Sequence, residues 1–237
     1  GASGYGYGVE VLLASTWNQG LARRQGQLIG EDSLFTLVSG WYAPACNIHR
    51  TAFSGRNFEY YSEDSLFSGI FAGEVLAGAG EKGVYCYLKH FALNDQETNR
   101  VRINTFSNEQ AARQIYLRPF EIAVRDYGCN TMMLAMNCIG MTWVGHHRNL
   151  LENVVRGEWG FRGMINTDTQ GYFGTEINDT AVWAGTDMFL SSQTVDEAEV
   201  RNNPTMMNEL REAAHHILYV TANSNGMNGL STNTRTV

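Results

Sequence analysis

Short apolar runs alternate along the chain with longer segments that mix apolar and polar positions. The runs fall near residues 41–48, 84–88, 131–139, 163–167 and 187–190. Short, continuous apolar stretches predict strands covered on both faces, as in a parallel sheet. Between them the spacing predicts helices over residues 15 or 16 to about 38, 64 to about 78, 107 to about 127, 147 to about 158, 178–184 and 208 to about 220. Ser15 or Thr16 can cap the first of these. Ser107 and Gln110 have capping-box spacing for the third, Gly128 supplies its stop, and Pro119 inside it predicts a kink or a restart.

Five strands alternating with helices fit a doubly wound sheet or a (β/α)8 barrel. No Gly-x-Gly-x-x-Gly follows a strand as a dinucleotide site requires. Polar residues instead gather just after several different strands: Asn47, His49 and Arg50; Lys89 and His90; Asn137; Asp168. Functional groups collected from several strand ends mark a barrel. The fold class expected is therefore α/β, TIM-barrel-like, with parallel strands alternating with helices. Five strands are three short of closure, so the barrel is expected to be incomplete, with exposed strand edges that invite self-association.

Composition narrows the chemistry. Hydrophobic residues make up 43% of the 237 and aromatics 11%, which is the profile of a folded chain with a sizeable core. The net charge of −7 and the absence of a basic block disfavour nucleic acid. No apolar run approaches the roughly 20 residues of a membrane span. Cys46, Cys86, Cys129 and Cys138 form no Cys-x-x-Cys pair, so neither a metal nor a redox cofactor is expected. The adjacent pairs His146-His147 and His215-His216 cannot easily share a metal and are expected on the surface or at caps. The opening Gly1 to Gly8 reads as a loop and leaves cellular location open. The Asn-, Gly-, Ser- and Thr-rich residues 224–237 are expected to be a tail after a domain over 1–223.

Two strand ends carry the candidate chemistry. The run Val84-Tyr85-Cys86-Tyr87-Leu88 leads into Lys89-His90, and a charged pair there is costly unless it meets a polar ligand. Gly163-Met164-Ile165-Asn166-Thr167 ends on the carboxylate of Asp168. Read on position alone, Asp168 is either catalytic or a loop cap. Lys89 and His90 either bind a ligand or pair with Asp95 or Glu97. Arg56 either binds a ligand or ties Glu59 or Glu63. Glu97, Arg100, Asn47, His49, Arg50 and Asn137 read as braces for the strand ends, Asn94 as either, and Trp41, Trp143, Trp159 and Trp183 as core.

Several long runs resemble glycoside hydrolase family 3, the β-glucosidase branch. They are Gly40-Trp41-Tyr42-Ala43-Pro44-Ala45-Cys46-Asn47-Ile48-His49-Arg50, Gly55-Arg56-Asn57-Phe58-Glu59-Tyr60-Tyr61-Ser62-Glu63-Asp64, Lys89 through Arg100, Glu158-Trp159-Gly160-Phe161-Arg162-Gly163 and Thr167-Asp168. The resemblance extends from about Ala14 to about Asn228. It implies the barrel domain of that family, lacking its first strands. It also implies a retaining exo-acting enzyme on terminal β-D-glucosyl residues, with a β-glucoside or short β-gluco-oligosaccharide as ligand. By position, Asp168 is implied as nucleophile, and Arg56, Lys89 and His90 as groups that bind sugar hydroxyls.

The chain also departs from the pattern. The aspartate of an early Asp-Gly-Pro-like loop has no counterpart. Met136, implied by position as a further substrate-binding residue, stands where an aromatic residue commonly flanks the sugar, and Thr169 follows the nucleophile where Trp or Tyr is frequent. The general acid of this branch is a Glu from a separate domain, so a second domain or chain is expected to supply it. The Asp-x-His acid of the N-acetylglucosaminidase branch is absent after Lys89-His90. The alternative reading is a sugar-binding barrel fragment with little or no turnover.

Overall fold

A computed structural model describes residues 6–101, 103–169, 175–190 and 195–227. The chain opens with α1 (Glu10–Ala14) and α2 (Gln19–Thr36). The helix expected from residue 15 or 16 starts instead at Gln19, after Trp17 takes a left-handed φ of 54°, and α1 precedes it as an additional helix. Asn18, rather than Ser15 or Thr16, caps α2 by accepting from the Leu21 amide at 3.0 Å. Strand β1 (Gly40–Trp41) is shorter than the run 41–48, whose remainder touches the sheet only at Ala45, opposite Lys89.

Helix α3 (Ser65–Gly80) starts on the Asp64 side chain, which accepts from the Phe67 amide at 2.7 Å. Phe71, Ala72, Val75, Leu76 and Ala79 are buried along it, as expected for a helix apolar on most of its faces. It crosses α2 at backbone contact. A Cβ on Gly26 would sit 2.0 Å from the Val75 carbonyl oxygen, and one on Gly78 would sit 2.3 Å from that of Arg23.

Strand β2 (Tyr85–Phe91) follows, then β3 (Asn104–Thr105), α4 (Glu109–Ala111), a π-wound turn Ala112–Tyr116 and α5 (Arg118–Tyr127). Pro119 restarts the helix rather than bending one, and Asn108, not Ser107, caps its start. Gly128 ends α5 at a φ of 71°. Strand β4 (Thr131–Leu134) stops well short of residue 139. Cys138 and Ile139 instead form β5 (Cys138–Ile139), paired with β6 (Thr142–Trp143) and β3 in a small separate sheet. The break is held by Asn137, which donates to the Ala92 carbonyl at 3.1 Å, and by Trp143, whose indole donates to that of Ala135 at 3.0 Å. The helix Asn149–Glu158 is π-wound. After β7 (Met164–Asn166) come α6 (Thr175–Trp183), α7 (Glu197–Asn202) and α8 (Pro204–Ala222).

Strands β1, β2, β4 and β7 form one parallel sheet in that order. Met188 adds a single parallel bridge to Asn166, where a strand over 187–190 was expected. Both faces are covered. Cys86, Leu88, Met132, Leu134 and Ile165 enter the large core with the helices. Tyr87, Met133 and Met164, one residue out of phase, pack with Val220 of α8. All four cysteines are free and buried, and burial pushes the Cys129 thiol up to about 12. Among the described residues, no helix is long and apolar enough to cross a membrane.

Asp187 ties β7 to α8. Its carboxylate accepts from Arg156 Nη2 at 2.7 Å and the Ile165 amide at 2.6 Å, and lies 2.8 Å from His216 Nδ1. His216 is therefore partnered inside the fold, while His215 stays exposed. The tail expected from residue 224 begins folded. Ser224 and Asn225 are buried. The Asn225 amide donates to the Gly83 carbonyl at 2.7 Å and its side chain to that of Val38 at 3.4 Å. Residues 228–237 lie outside the described residues.

Candidate active site

Asn47 positions the Lys89-His90 strand end. Its side-chain oxygen accepts from the His90 amide at 2.7 Å, and its side-chain nitrogen donates to the His90 carbonyl at 3.0 Å. The Cys46 amide donates to the Lys89 carbonyl at 2.9 Å. The loop after β1 thus continues the sheet by side-chain bonding where its backbone leaves it. His49 braces the next turn, with Nε2 at 2.9 Å and 3.0 Å from the carbonyls of Asn57 and Tyr60. That turn presents Arg56, just after Gly55 at a φ of 92°.

The charged groups form one network. Glu59 holds two cations: one carboxylate oxygen takes Arg56 Nε, and the other lies 3.4 Å from Lys89 Nζ. Glu97 lies 3.7 Å from Arg56 Nη1 and 3.2 Å from Arg100 Nη1, and accepts from Asn94 at 3.4 Å. Lys89 therefore pairs with Glu59, not with Asp95 or Glu97. Arg56 takes Glu59, as one of the two readings of its role had it.

His90, 2% exposed, lies with Nε2 at 3.0 Å from Arg56 Nη2 and Nδ1 at 3.4 Å from the Tyr60 hydroxyl. A guanidinium only donates, so Nε2 carries the lone pair and Nδ1 the proton. Burial, then the cations Arg56, Lys89 and Arg100, push its pKa well below the usual imidazole value, which keeps the ring neutral. Burial likewise holds the Tyr60 phenol protonated.

Asp168 stands at the end of β7. Thr167 fixes the exit: its amide donates to the Met188 carbonyl and its hydroxyl accepts from the Leu190 amide, both at 3.0 Å. The half-buried Asp168 carboxylate accepts from the Thr169 amide at 2.6 Å and its hydroxyl at 3.2 Å through one oxygen. The other oxygen has no hydrogen bond among the described residues.

Arg56, Lys89, His90 and Asp168 line a single open cleft of about 570 Å³, with Arg100, Glu97, Tyr42, Met133, Thr169 and Leu190. That is a volume suited to a small polar molecule. Met136, half-buried beyond β4, is not among its lining residues; Met133, three residues earlier, is. Sequence reasoning treated Arg100 and Glu97 as braces and did not single out Met133 or Tyr42. Alternation along β4 could have found Met133, because it lies on the face opposite Met132 and Leu134, which enter the large core. Tyr42 supplies an aromatic wall from the other side, 44% exposed and stacked on Tyr87 at 4.6 Å between ring centroids. Trp143 and Trp159 lie in the core and Trp41 packs against it, whereas Trp183 is exposed beside the Arg148 guanidinium. Among the described residues no cluster of His, Cys, Asp and Glu could hold a metal ion.

The sequence profile of the glycosyl hydrolase family 3 N terminal domain matches residues 9–220. The chain belongs to glycosyl hydrolase family 3. This family 3 chain is 34% identical over 220 residues to beta-glucosidase B of Emericella nidulans, covering 90% of the chain and 26% of that relative. It is 37% identical over 178 residues to beta-glucosidase A of Butyrivibrio fibrisolvens, covering 75% and 21%. Its structure superposes on beta-glucosidase 3B from Thermotoga neapolitana in complex with glucose, with a TM-score of 0.87 at 35% identity, over 94% of this chain and 33% of that one. The GH3 beta-glucosidase of Bifidobacterium adolescentis gives a TM-score of 0.89 at 30% identity, over 98% and 34%. The fold is accordingly the TIM-barrel-like α/β fold of the family. The family 3 chain spans about a quarter of the length of the curated relatives it matches.

Proposed function

We propose that the cleft binds the terminal sugar of a β-D-glucoside and that Asp168 attacks its anomeric carbon, with retention of configuration. One observation carries the reading: Asp168 shares a cleft with Arg56, Lys89, His90 and Arg100 in a family whose relatives are named beta-glucosidases. Arg and Lys offer several donors to vicinal hydroxyls. Neutral His90, with its Nε2 lone pair toward Arg56, helps hold that guanidinium in place. Three cations against the two carboxylates Glu59 and Glu97 leave one positive charge over in the network beside Asp168. The exposed ring of Tyr42 offers an apolar surface to the flat face of a pyranose.

A retaining mechanism also needs an acid about 5–5.5 Å from the nucleophile. The other carboxylate among the described lining residues, Glu97, is engaged by two guanidinium groups and Asn94. The proton donor is then expected from a second domain, a second chain or a Glu outside the described lining residues. Missing protonation hurts most where the leaving group is poor. The chain by itself should hydrolyse activated aryl β-glucosides slowly and cellobiose barely, and Asp168→Ala should abolish the aryl activity. Mass spectrometry after a 2-fluoro-glucoside should find a covalent adduct on Asp168. A full rate in the Asp168→Ala variant would remove the nucleophile assignment, and turnover without an adduct would count against the covalent route.

A further inference from the structure

The loop after β2 walls two cavities. Its residues Glu97 and Arg100 line the cleft with Asp168, whereas its residues 93–96 line a second cavity of about 650 Å³. No described residue lines both. The other walls of the second cavity come from Arg50 and Thr51 after β1, from β3 and the residues that follow it, from Tyr116 and from Asn137 after β4. Two of these side chains are buried amides, Asn94 at 3% exposed and Asn137 at 1%. Their nitrogens are taken. That of Asn94 donates to the Tyr60 hydroxyl at 3.3 Å and to Glu97 at 3.4 Å. That of Asn137 donates to the Ala92 carbonyl at 3.1 Å and the Thr105 hydroxyl at 3.4 Å. These contacts fix which end of each amide is the oxygen. Neither oxygen receives a hydrogen bond from the described residues. A buried acceptor without a donor is costly until a hydroxyl or a water supplies one.

We propose that this second cavity is a binding site for an uncharged, hydroxyl-rich molecule, a saccharide unit, separate from the cleft. The proposal stands on the cavity alone and not on the sugar reading of the cleft. Three features of the walls select the ligand. The Asn94 and Asn137 oxygens call for donors. Arg50, whose guanidinium donates to the Tyr116 hydroxyl and lies 5.7 Å from the centre of that ring, brings further donors that call for acceptors. A hydroxyl donates and accepts at once, so a polyhydroxylated molecule meets both demands. Charge argues the same way. Arg50 counts against a metal cation in the cavity, and the Asp95 carboxyl, one of whose oxygens takes the Ile48 amide at 3.2 Å, counts against an anion. Phe106, 75% exposed, adds an aromatic face at the wall for the C–H side of a sugar ring. The volume is in the range of sites for small molecules.

The test is a titration of the chain with cellobiose, followed by NMR of the backbone amides. Gln96 and Thr105 report on the cavity, and Arg100 and Thr169 on the cleft. Saturable shifts are expected at Gln96 and Thr105. Ser107→Trp and Thr51→Trp each bring an indole to the cavity from an exposed position, on two different loops. Each should abolish the cellobiose shifts at Gln96 and Thr105 and leave those at Arg100 and Thr169 as they are in the wild type. Absence of saturable shifts at Gln96 and Thr105 in the wild type would show a cavity that holds water only and would overturn the proposal. So would shifts that persist in both Trp variants, or a response of these amides to inorganic phosphate or calcium but not to cellobiose. Shifts at Gln96 and Thr105 with none at Arg100 and Thr169 would support the second site and count against the sugar reading of the cleft. The reverse pattern would overturn the second site and leave that reading intact.

Discussion

Asp95 offers a sharp test of how this fold handles charge. Its carboxylate accepts from the Ile48 amide at 3.2 Å, which pins the loop after β1 to the loop after β2. Burial raises its pKa from 3.8 to about 7, against the opposing pull of the Ile48 amide and the Arg50 cation. A carboxyl raised on folding is protonated in the fold and ionised in the unfolded chain between those two values. Its contribution to stability is therefore full below about 3.8 and is lost as pH rises to about 7. The gap of about 3 pH units, at about 1.4 kcal/mol per unit, amounts to on the order of 4 kcal/mol. Asp95→Asn keeps an oxygen for the Ile48 amide and carries no charge at any pH. Urea unfolding at pH 4, 5.5, 7 and 8.5 should then show variant and wild type nearly equal at pH 4, with the variant gaining stability as pH rises. Glu10, whose carboxyl burial also raises to about 7, is the same in both proteins and cancels in the difference. If the two stability curves run parallel from pH 4 to 8.5, Asp95 is not a buried neutral acid and the reasoning fails.

Two further substitutions test the scaffold beneath the site. Asp187→Ala leaves Arg156 and His216 without their shared partner, in a place where the Asp187 side chain is 2% exposed. It should cost about 3–5 kcal/mol in denaturant unfolding, and a loss under about 1 kcal/mol would show the triad to be incidental. Gly163→Ala would place a Cβ 1.7 Å from the Asn130 carbonyl oxygen, the acceptor of the Met164 amide that starts β7. A loss of about 3 kcal/mol or more is expected, visible as a lowered Tm, and an unchanged Tm would contradict the packing of β4 against β7.

The strand–helix alternation was legible because each strand is a short apolar run and each long helix has a stop or a cap in its sequence. Where boundaries slipped, a side chain outcompeted the pattern. Trp17 turned left-handed and passed the cap to Asn18, and Asn137 pulled the end of the run 131–139 out of the parallel sheet. The candidate site was legible at Lys89, His90 and Asp168 because charges at the ends of buried strands are hard to explain by packing, whereas Arg56, just before the Asn57–Glu59 turn, was legible only through the family resemblance. Met133 and Arg100 were missed for different reasons. Met133 looks like any core residue of β4, and Arg100 reaches the cleft only because the loop after β2 folds back over it.

The docking of Asn225 against Val38 and Gly83 joins positions 187 residues apart in one case. A ribosome adding about 5–20 residues per second makes β1 roughly 10–40 s before it makes the turn that seals the base of the sheet. For most of that interval the newborn strands lack both α8, which covers one face of the sheet, and the turn that closes its base. Holding chaperones should therefore engage nascent chains halted before residue 224 and release those that extend past it.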